Sequence, residues 1–325
     1  MSFPRSRISV LAFIVFLTMP LAAAFAQQLE YERPVQAAPT EESIGEGYVT
    51  PKVQYPKPRS LWWEITDVVL LAAALGLGAW IVLVRRSRRG IVVLTIACLA
   101  YFGFFREGCV CPIGSIQNVI VALVDPNYAM PYVVIAIFLL PLVAALFFGR
   151  VFCGGVCPLG GIQELVLLKP IEVPRRLDRA LGALKYVYLA LAIWFAVQPA
   201  VDRDFIICRF DPFVGLFRWA GPAHMLMIGA ALLLLGFFIG RPYCRYLCPY
   251  GVLLSWVSRI SWTGVTITPD NELDCGLCAE ACPYGAIEKM RAVRSSCLSC
   301  ARCYHSCPRH RVVFEGMQEE AVSES

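Results

Sequence analysis

Apolar residues in this chain run in long blocks; they do not alternate or recur along one face. Five blocks, approximately 62–84, 90–105, 129–149, 183–199 and 221–240, come near the length that a ~30 Å hydrocarbon slab requires of a helix, the second and fourth being short. The pattern predicts five spanning helices. Before them, Arg5 and Arg7 precede an apolar run from Ile8, and Ala24-Phe25-Ala26 fits a cleavage site ahead of Gln27, so residues 1–26 read as a cleaved signal peptide. Residues 27–60 carry Pro34, Pro39, Pro51, Pro56 and Pro58 among acidic and small residues and read as an extended exocytoplasmic linker.

Basic residues gather at block ends. Arg85, Arg86, Arg88 and Arg89 follow the first block, Arg175, Arg176, Arg179 and Lys185 lead into the fourth, and Arg241 and Arg245 follow the fifth. The positive-inside bias places all three groups in the cytoplasm of a multi-pass protein of the bacterial inner membrane. Loops 106–128 and 200–220 then lie outside; loops 150–182 and 241–260, and the chain from about 262, lie inside.

Composition agrees. Of 325 residues, 58% are hydrophobic and 16% charged, and the mean hydropathy is +0.62, which no soluble surface accommodates. The net charge of +5 is accounted for by retention of arginines on the cytoplasmic side, so nucleic acid is not needed as a partner. Fifteen cysteines, many at C-x2-C or C-x3-C-P spacing, suit metal or cluster ligation better than a disulfide framework.

A cysteine-proline loop recurs four times. The copies are Cys109-Val110-Cys111-Pro112, Cys153-x3-Cys157-Pro158, Cys208-Arg209-Phe210-Asp211-Pro212 and Cys244-x3-Cys248-Pro249, each with a glycine shortly after. Gln117 and Gln163 each sit six residues past a cysteine, and an apolar block precedes every copy, so the repeating unit reads as a spanning helix, a cysteine-proline turn and a short helix. One C-x3-C pair offers two thiolates where an iron–sulfur cube takes four. Pairing the inside loops gives a complete set, Cys153, Cys157, Cys244 and Cys248; zinc at these residues, or plain buried thiols, are the competing readings. The outer set is thinner: Cys109, Cys111 and Cys208, with Asp211 or Glu107 as an oxygen ligand, or else a smaller cluster, another metal or a redox disulfide.

The most specific signal lies near the C-terminus. Cys297-x2-Cys300-x2-Cys303-x3-Cys307-Pro308 is a full bacterial ferredoxin run, and Cys275-x2-Cys278-x3-Cys282-Pro283 is its partner. Because the fourth cysteine of each run ligates the other run's cluster, Cys297, Cys300 and Cys303 are completed by Cys282. The crossed set has Cys275, Cys278 and Cys307, but Glu272 stands where its fourth cysteine would be. Four readings stay open there: Glu272 or Asp274 ligates through oxygen, the cluster is 3Fe-4S, a membrane-loop cysteine substitutes, or the site is empty. The expected architecture is an all-α transmembrane helical domain over 61–261 with a duplicated Cys-Pro hairpin unit. A small α+β ferredoxin-like domain of the bacterial two-cluster 4Fe-4S type, with its tail, follows over 262–325 on the cytoplasmic side.

This combination of helices, Cys-x3-Cys-Pro loops and a C-terminal double ferredoxin run resembles the NosR/NapH family of membrane iron–sulfur proteins, polyferredoxin-like components of denitrification and nitrate-reduction systems. The resemblance covers roughly residues 90–310. It implies electron transfer between the quinone pool or a cytoplasmic donor and an exocytoplasmic reductase or its maturation, with Cys153/Cys157 and Cys244/Cys248 as the paired membrane motifs. Departures are Glu272, the additional Cys109/Cys111, and the lack of a large flavin-binding domain among residues 27–60. The expected function is therefore a membrane-bound iron–sulfur electron-transfer subunit. It would carry two to four 4Fe-4S clusters, or one 3Fe-4S or non-cubane site among them. Its expected partners are other subunits of a redox complex, a quinone or quinol, and a periplasmic cytochrome or reductase. The alternative is a membrane metal-handling or cofactor-assembly protein for a respiratory metalloenzyme.

Overall fold

The computed structural model describes residues 60–108, 111–126, 128, 130–171, 173–198, 207, 211–218, 223–265, 276–288 and 291–306. The signal peptide and all of the linker except Ser60 lie outside the described residues.

Helix α1 (Leu61–Trp80) continues through a wide turn, Ile81–Arg85, and stops at Arg86, whose φ of 51° leaves the helical region. Helix α2 (Arg88–Cys98) starts on Ser87, whose hydroxyl accepts the Gly90 N–H at 3.2 Å, and runs on through Leu99–Phe105. With their extensions these two helices are 25 and 18 residues long, and together with the helix ending at Val197 they are the three described helices long and apolar enough to cross a membrane. That third helix, α6, begins at Arg175.

Two of the five anticipated spans are shorter. Helix α4 (Tyr132–Phe148) has 17 residues and helix α8 (Ala223–Gly236) has 14, about 26 and 21 Å at 1.5 Å per residue. The reason is local: α4 follows Pro131 and ends at Gly149, whose φ is 74°, while beyond α8 the N–H groups of Phe237, Phe238 and Ile239 turn back onto the Leu234 and Leu235 carbonyls. Among the described residues, the five apolar blocks thus give three full-length helices and two shorter ones.

Four short helices follow the Cys-Pro or Asp-Pro steps: α3 (Pro112–Val124), α5 (Pro158–Val166), α7 (Pro212–Arg218) and α10 (Pro249–Ser258). Proline opens each one, where a missing N–H leaves no hydrogen bond unmade. Cys111, Cys157 and Cys248 stand just outside in extended conformation, so the chain enters each helix at a sharp angle with the cysteine at the corner. Helix α9 (Pro242–Tyr246) carries Cys244, and the wide turn Phe152–Val156 carries Cys153.

Small residues let the long helices approach closely. Gly78 and Ala79 of α1 are buried, and a Cβ on Gly78 would crowd Val151 and Leu94. Leu75, Val82, Ile91, Phe148 and Val156 are fully inaccessible at the centre, while Trp62, Val93, Leu123, Trp194 and Leu234 face outward as an apolar exterior suited to lipid. The C-terminal module comprises α11 (Leu277–Glu280), an antiparallel pair β1 (Ile287–Glu288) and β2 (Arg291–Ala292) with Ile287 opposite Ala292, and α12 (Arg302–Ser306).

Candidate metal centre

Two sets of four thiols lie at the junction between the membrane helices and the C-terminal module. The first consists of Cys153, Cys157, Cys244 and Cys248, from the two turns that lead into α5 and α10. Gln163 of α5 ties those turns together: its carbonyl accepts the Tyr243 N–H at 3.0 Å, and its amide donates to the Leu159 carbonyl at 2.8 Å and toward the Cys244 sulfur at 3.5 Å. The Gly251 N–H points at the Cys248 sulfur at 3.3 Å, and the Arg150 guanidinium at the Cys153 sulfur at 3.8 Å. Burial pushes the Cys157 and Cys248 thiols well above their ordinary pKa, and the charges of Cys244 and Cys153 push the same way, so all four sulfurs feel one another. Cys244 is pushed up to about 11, burial again being the main cause.

In the module, Cys282, Cys297, Cys300 and Cys303 line a single cavity. Ser299 and Ala301, either side of Cys300, both have positive φ (56° and 60°), a strained path that winds the backbone tightly around that sulfur. The Ala286 N–H reaches the Cys282 sulfur at 3.4 Å. Burial pushes the Cys297 and Cys303 thiols up to about 12 and raises that of Cys300.

Between the two sets lies Glu164, with a side chain only 3% exposed. Arg88 meets its carboxylate at 2.6 Å, Arg302 at 2.8 Å and Arg241 at 2.9 Å, and the Tyr284 hydroxyl donates to it as well. Burial alone would raise this carboxyl; the fields of Arg241, Arg302 and Arg88 outweigh it and hold the pKa at about 2. The arginines reach onward to the ligand loops: Arg88 donates to the Cys300 carbonyl at 2.8 Å, and Arg241 donates to the carbonyls of Cys153 and Gly154. Gly154 completes the joint, because a Cβ there would overlap the Leu298 carbonyl oxygen. Backbone next to Cys153 therefore touches backbone between Cys297 and Cys300.

The residues present fit an anionic iron–sulfur group. Three arginines on one buried carboxylate leave excess positive charge, and Arg150 adds more; a cube held by four thiolates is a net anion of the opposite sign. N–H donors aimed at sulfur are the outer contacts that stabilise such a group. Among the described residues, no three His, Cys, Asp or Glu side chains converge tightly enough to hold a single metal ion.

The outer set is only partly within view. Cys109 and Cys208, and in the module Cys275, Cys307, Glu272 and Asp274, lie outside the described residues. Glu107 is exposed and Cys111 half-buried, whereas Asp211 is 2% exposed and accepts the Phe213 N–H at 2.9 Å and the Tyr243 hydroxyl at 3.1 Å. Tyr243 directly precedes Cys244, so one side chain joins the inner turn to the outer one.

Sequence reasoning missed the hub. Arg88 and Arg241 read as topology signals, yet both converge with Arg302 on Glu164. The available clue was Glu164 itself, a lone acid in the apolar run 159–168.

Comparison with known proteins matches iron–sulfur families to segments that contain the first set of thiols and Cys282. A family described as "4Fe-4S binding domain" matches twice, over 130–173 and 221–264, and a second family of that description matches 273–288. The chain is 32% identical over 160 residues to "Putative electron transport protein YccM" of Escherichia coli, covering 46% of this chain and 44% of that one. It is 30% identical over 140 residues to NirI of Paracoccus denitrificans (42% and 20%), and 27% identical over 159 residues to the regulatory protein NosR of Pseudomonas aeruginosa (42% and 20%). The chain thus spans less than half the length of each of these relatives. No solved structure matches it.

Proposed function

We propose, from the premise that this chain is a relative of NosR/NapH-like 4Fe-4S electron-transport proteins, that it is a membrane-bound electron-transfer subunit with its metal centres at the membrane–module junction. On this reading Cys153, Cys157, Cys244 and Cys248 hold one cube and Cys282, Cys297, Cys300 and Cys303 another, as a duplicated hairpin unit meets a cytoplasmic ferredoxin-like domain. When bound, such groups supply reversible one-electron carriage. The chain's own residues hold the sulfurs, exclude water and balance their charge. The observation that carries the reading is the contact at Gly154, which leaves no room for a side chain between the two ligand loops.

The donor is a cytoplasmic or quinone-pool reductant and the acceptor a membrane or periplasmic redox partner. Buried ligands, with Cys153 and Cys248 each 8% exposed, favour resident groups over metal handed on to a client. Anaerobic purification with iron and sulfide counts, and low-temperature spin resonance during a redox titration, tests the proposal. At least two reducible cubes are expected, one of which disappears in Cys157→Ser while the other persists. Redox-active iron confined to the C-terminal module would refute it.

A further inference from the structure

A cavity of ≈ 360 Å³ opens between α6, the α9–α10 turn and the C-terminal module. Its charged lining consists of Arg150, Asp178, Arg179, Lys185, Arg241 and Arg245, five cations facing one carboxylate. Arg241 is committed to Glu164, and Arg245 to Asp178 at 2.8 Å. Arg150 is 8% exposed; its terminal nitrogens are used by the Ser295 carbonyl and the Cys153 sulfur, but its Nε is buried without a hydrogen-bond partner among the described residues. Neither Arg179 nor Lys185 has an ion-pair partner among the described residues.

We propose that this cavity binds a phosphate-bearing anion, with Arg179 and Lys185 supplying the charge and Arg150 its unused Nε–H donor. Two sources share that chemistry: the phosphodiester of an acidic phospholipid, and free phosphate. The position favours the lipid. Arg179 and Lys185 stand in the basic half of α6, a helix long and apolar enough to span, and basic pockets beside such helices at the cytoplasmic surface are suited to acidic headgroups. The competing explanation for the same cations is that they only balance charge on the neighbouring thiolates, of which Cys244 lines the cavity. The inference does not depend on the electron-transfer reading, because the unpaired cations and the cavity are present whatever the sulfurs hold.

The test uses the full chain, purified anaerobically in detergent, and the double variant Arg179→Gln/Lys185→Gln. Each is mixed with phosphatidylglycerol, phosphatidylcholine or inorganic phosphate, and bound ligand is counted by native mass spectrometry with iron measured in parallel. Phosphatidylglycerol retained in preference to phosphatidylcholine, and weakened roughly tenfold or more in the variant with iron content unchanged, supports the lipid source. Retention of inorganic phosphate with no preference between the lipids, again lost in the variant, supports the free anion. Equal retention of every ligand by both proteins overturns the proposal, as does a variant that loses iron while keeping the same ligand affinity. Arg179→Gln alone, at an exposed position, provides the check if the double variant folds poorly.

Discussion

The inner and outer loop pairs use the same clamp for different ends. In the inner pair the Gln163 carbonyl accepts the N–H of Tyr243, the residue before Cys244; in the outer pair the Gln117 carbonyl accepts the N–H of Ile207, the residue before Cys208. Both glutamines are completely buried. From there the pairs diverge. The Gln163 amide reaches a cysteine sulfur, whereas the Gln117 amide donates to the Ala192 carbonyl. The next residue is Glu164 in one and Asn118 in the other: the acid gathers three arginines and a module tyrosine, while the amide accepts one local hydroxyl, from Tyr128. Cys248 stands at the corner of α10 where Asp211 stands before α7. Scaffold and chemistry are therefore separable, and among the described residues it is the inner pair that has the charge to receive the module.

The largest expected difference between the pairs is in iron. Cys248→Ser should remove the inner centre's spin signal entirely and lower iron by about four atoms per chain, whereas Asp211→Asn should leave that signal in place. Iron analysis with spin resonance on both variants decides it, and equal losses would erase the distinction.

Next comes the hub. Glu164→Gln leaves the buried Arg241 and the part-exposed Arg88 and Arg302 around a neutral amide, and unpairing of a buried charge such as Arg241 costs about 3–5 kcal/mol, read as a lower denaturant midpoint. Asn118→Ala, at the corresponding outer position, should cost about 1 kcal/mol.

The same carboxylate gives a pH signature. Its folded pKa of about 2 lies below the ordinary value of 4.5, so its contribution is fully present above about pH 4.5 and is lost as pH falls toward 2. Acid unfolding of the wild-type protein should therefore show a destabilisation in that window that Glu164→Gln lacks. Parallel acid profiles would exclude Glu164 as the fastening point.

The smallest effect is the most selective. Gln163→Leu and Gln117→Leu each strand one backbone N–H, a cost of about 1–3 kcal/mol in both. Only the first also removes a donor from a ligand sulfur, so only Gln163→Leu should lower the midpoint potential of the inner centre, measured by redox titration.

Part of this was legible in the chain: the proline after Cys157 and Cys248 marked two helix corners, and each cysteine stands just before its helix in extended conformation. Helix lengths were less legible, because the stop at Gly149 and the turns at 237–239 interrupt apolar runs whose composition does not change. The hub was hidden for a different reason: positions 88, 164, 241, 284 and 302 are far apart along the chain, and an arginine serving topology is indistinguishable in sequence from one that holds a buried acid.

The central claim, that two separate hairpin turns enclose one metal centre, is tested most directly by alkylating the native anaerobic protein and mapping the modified cysteines by mass spectrometry. Cys153, Cys157, Cys244 and Cys248 should resist the reagent until iron is chelated and then become reactive together. Modification of all four before chelation, with iron content and spectra unchanged, would contradict the account.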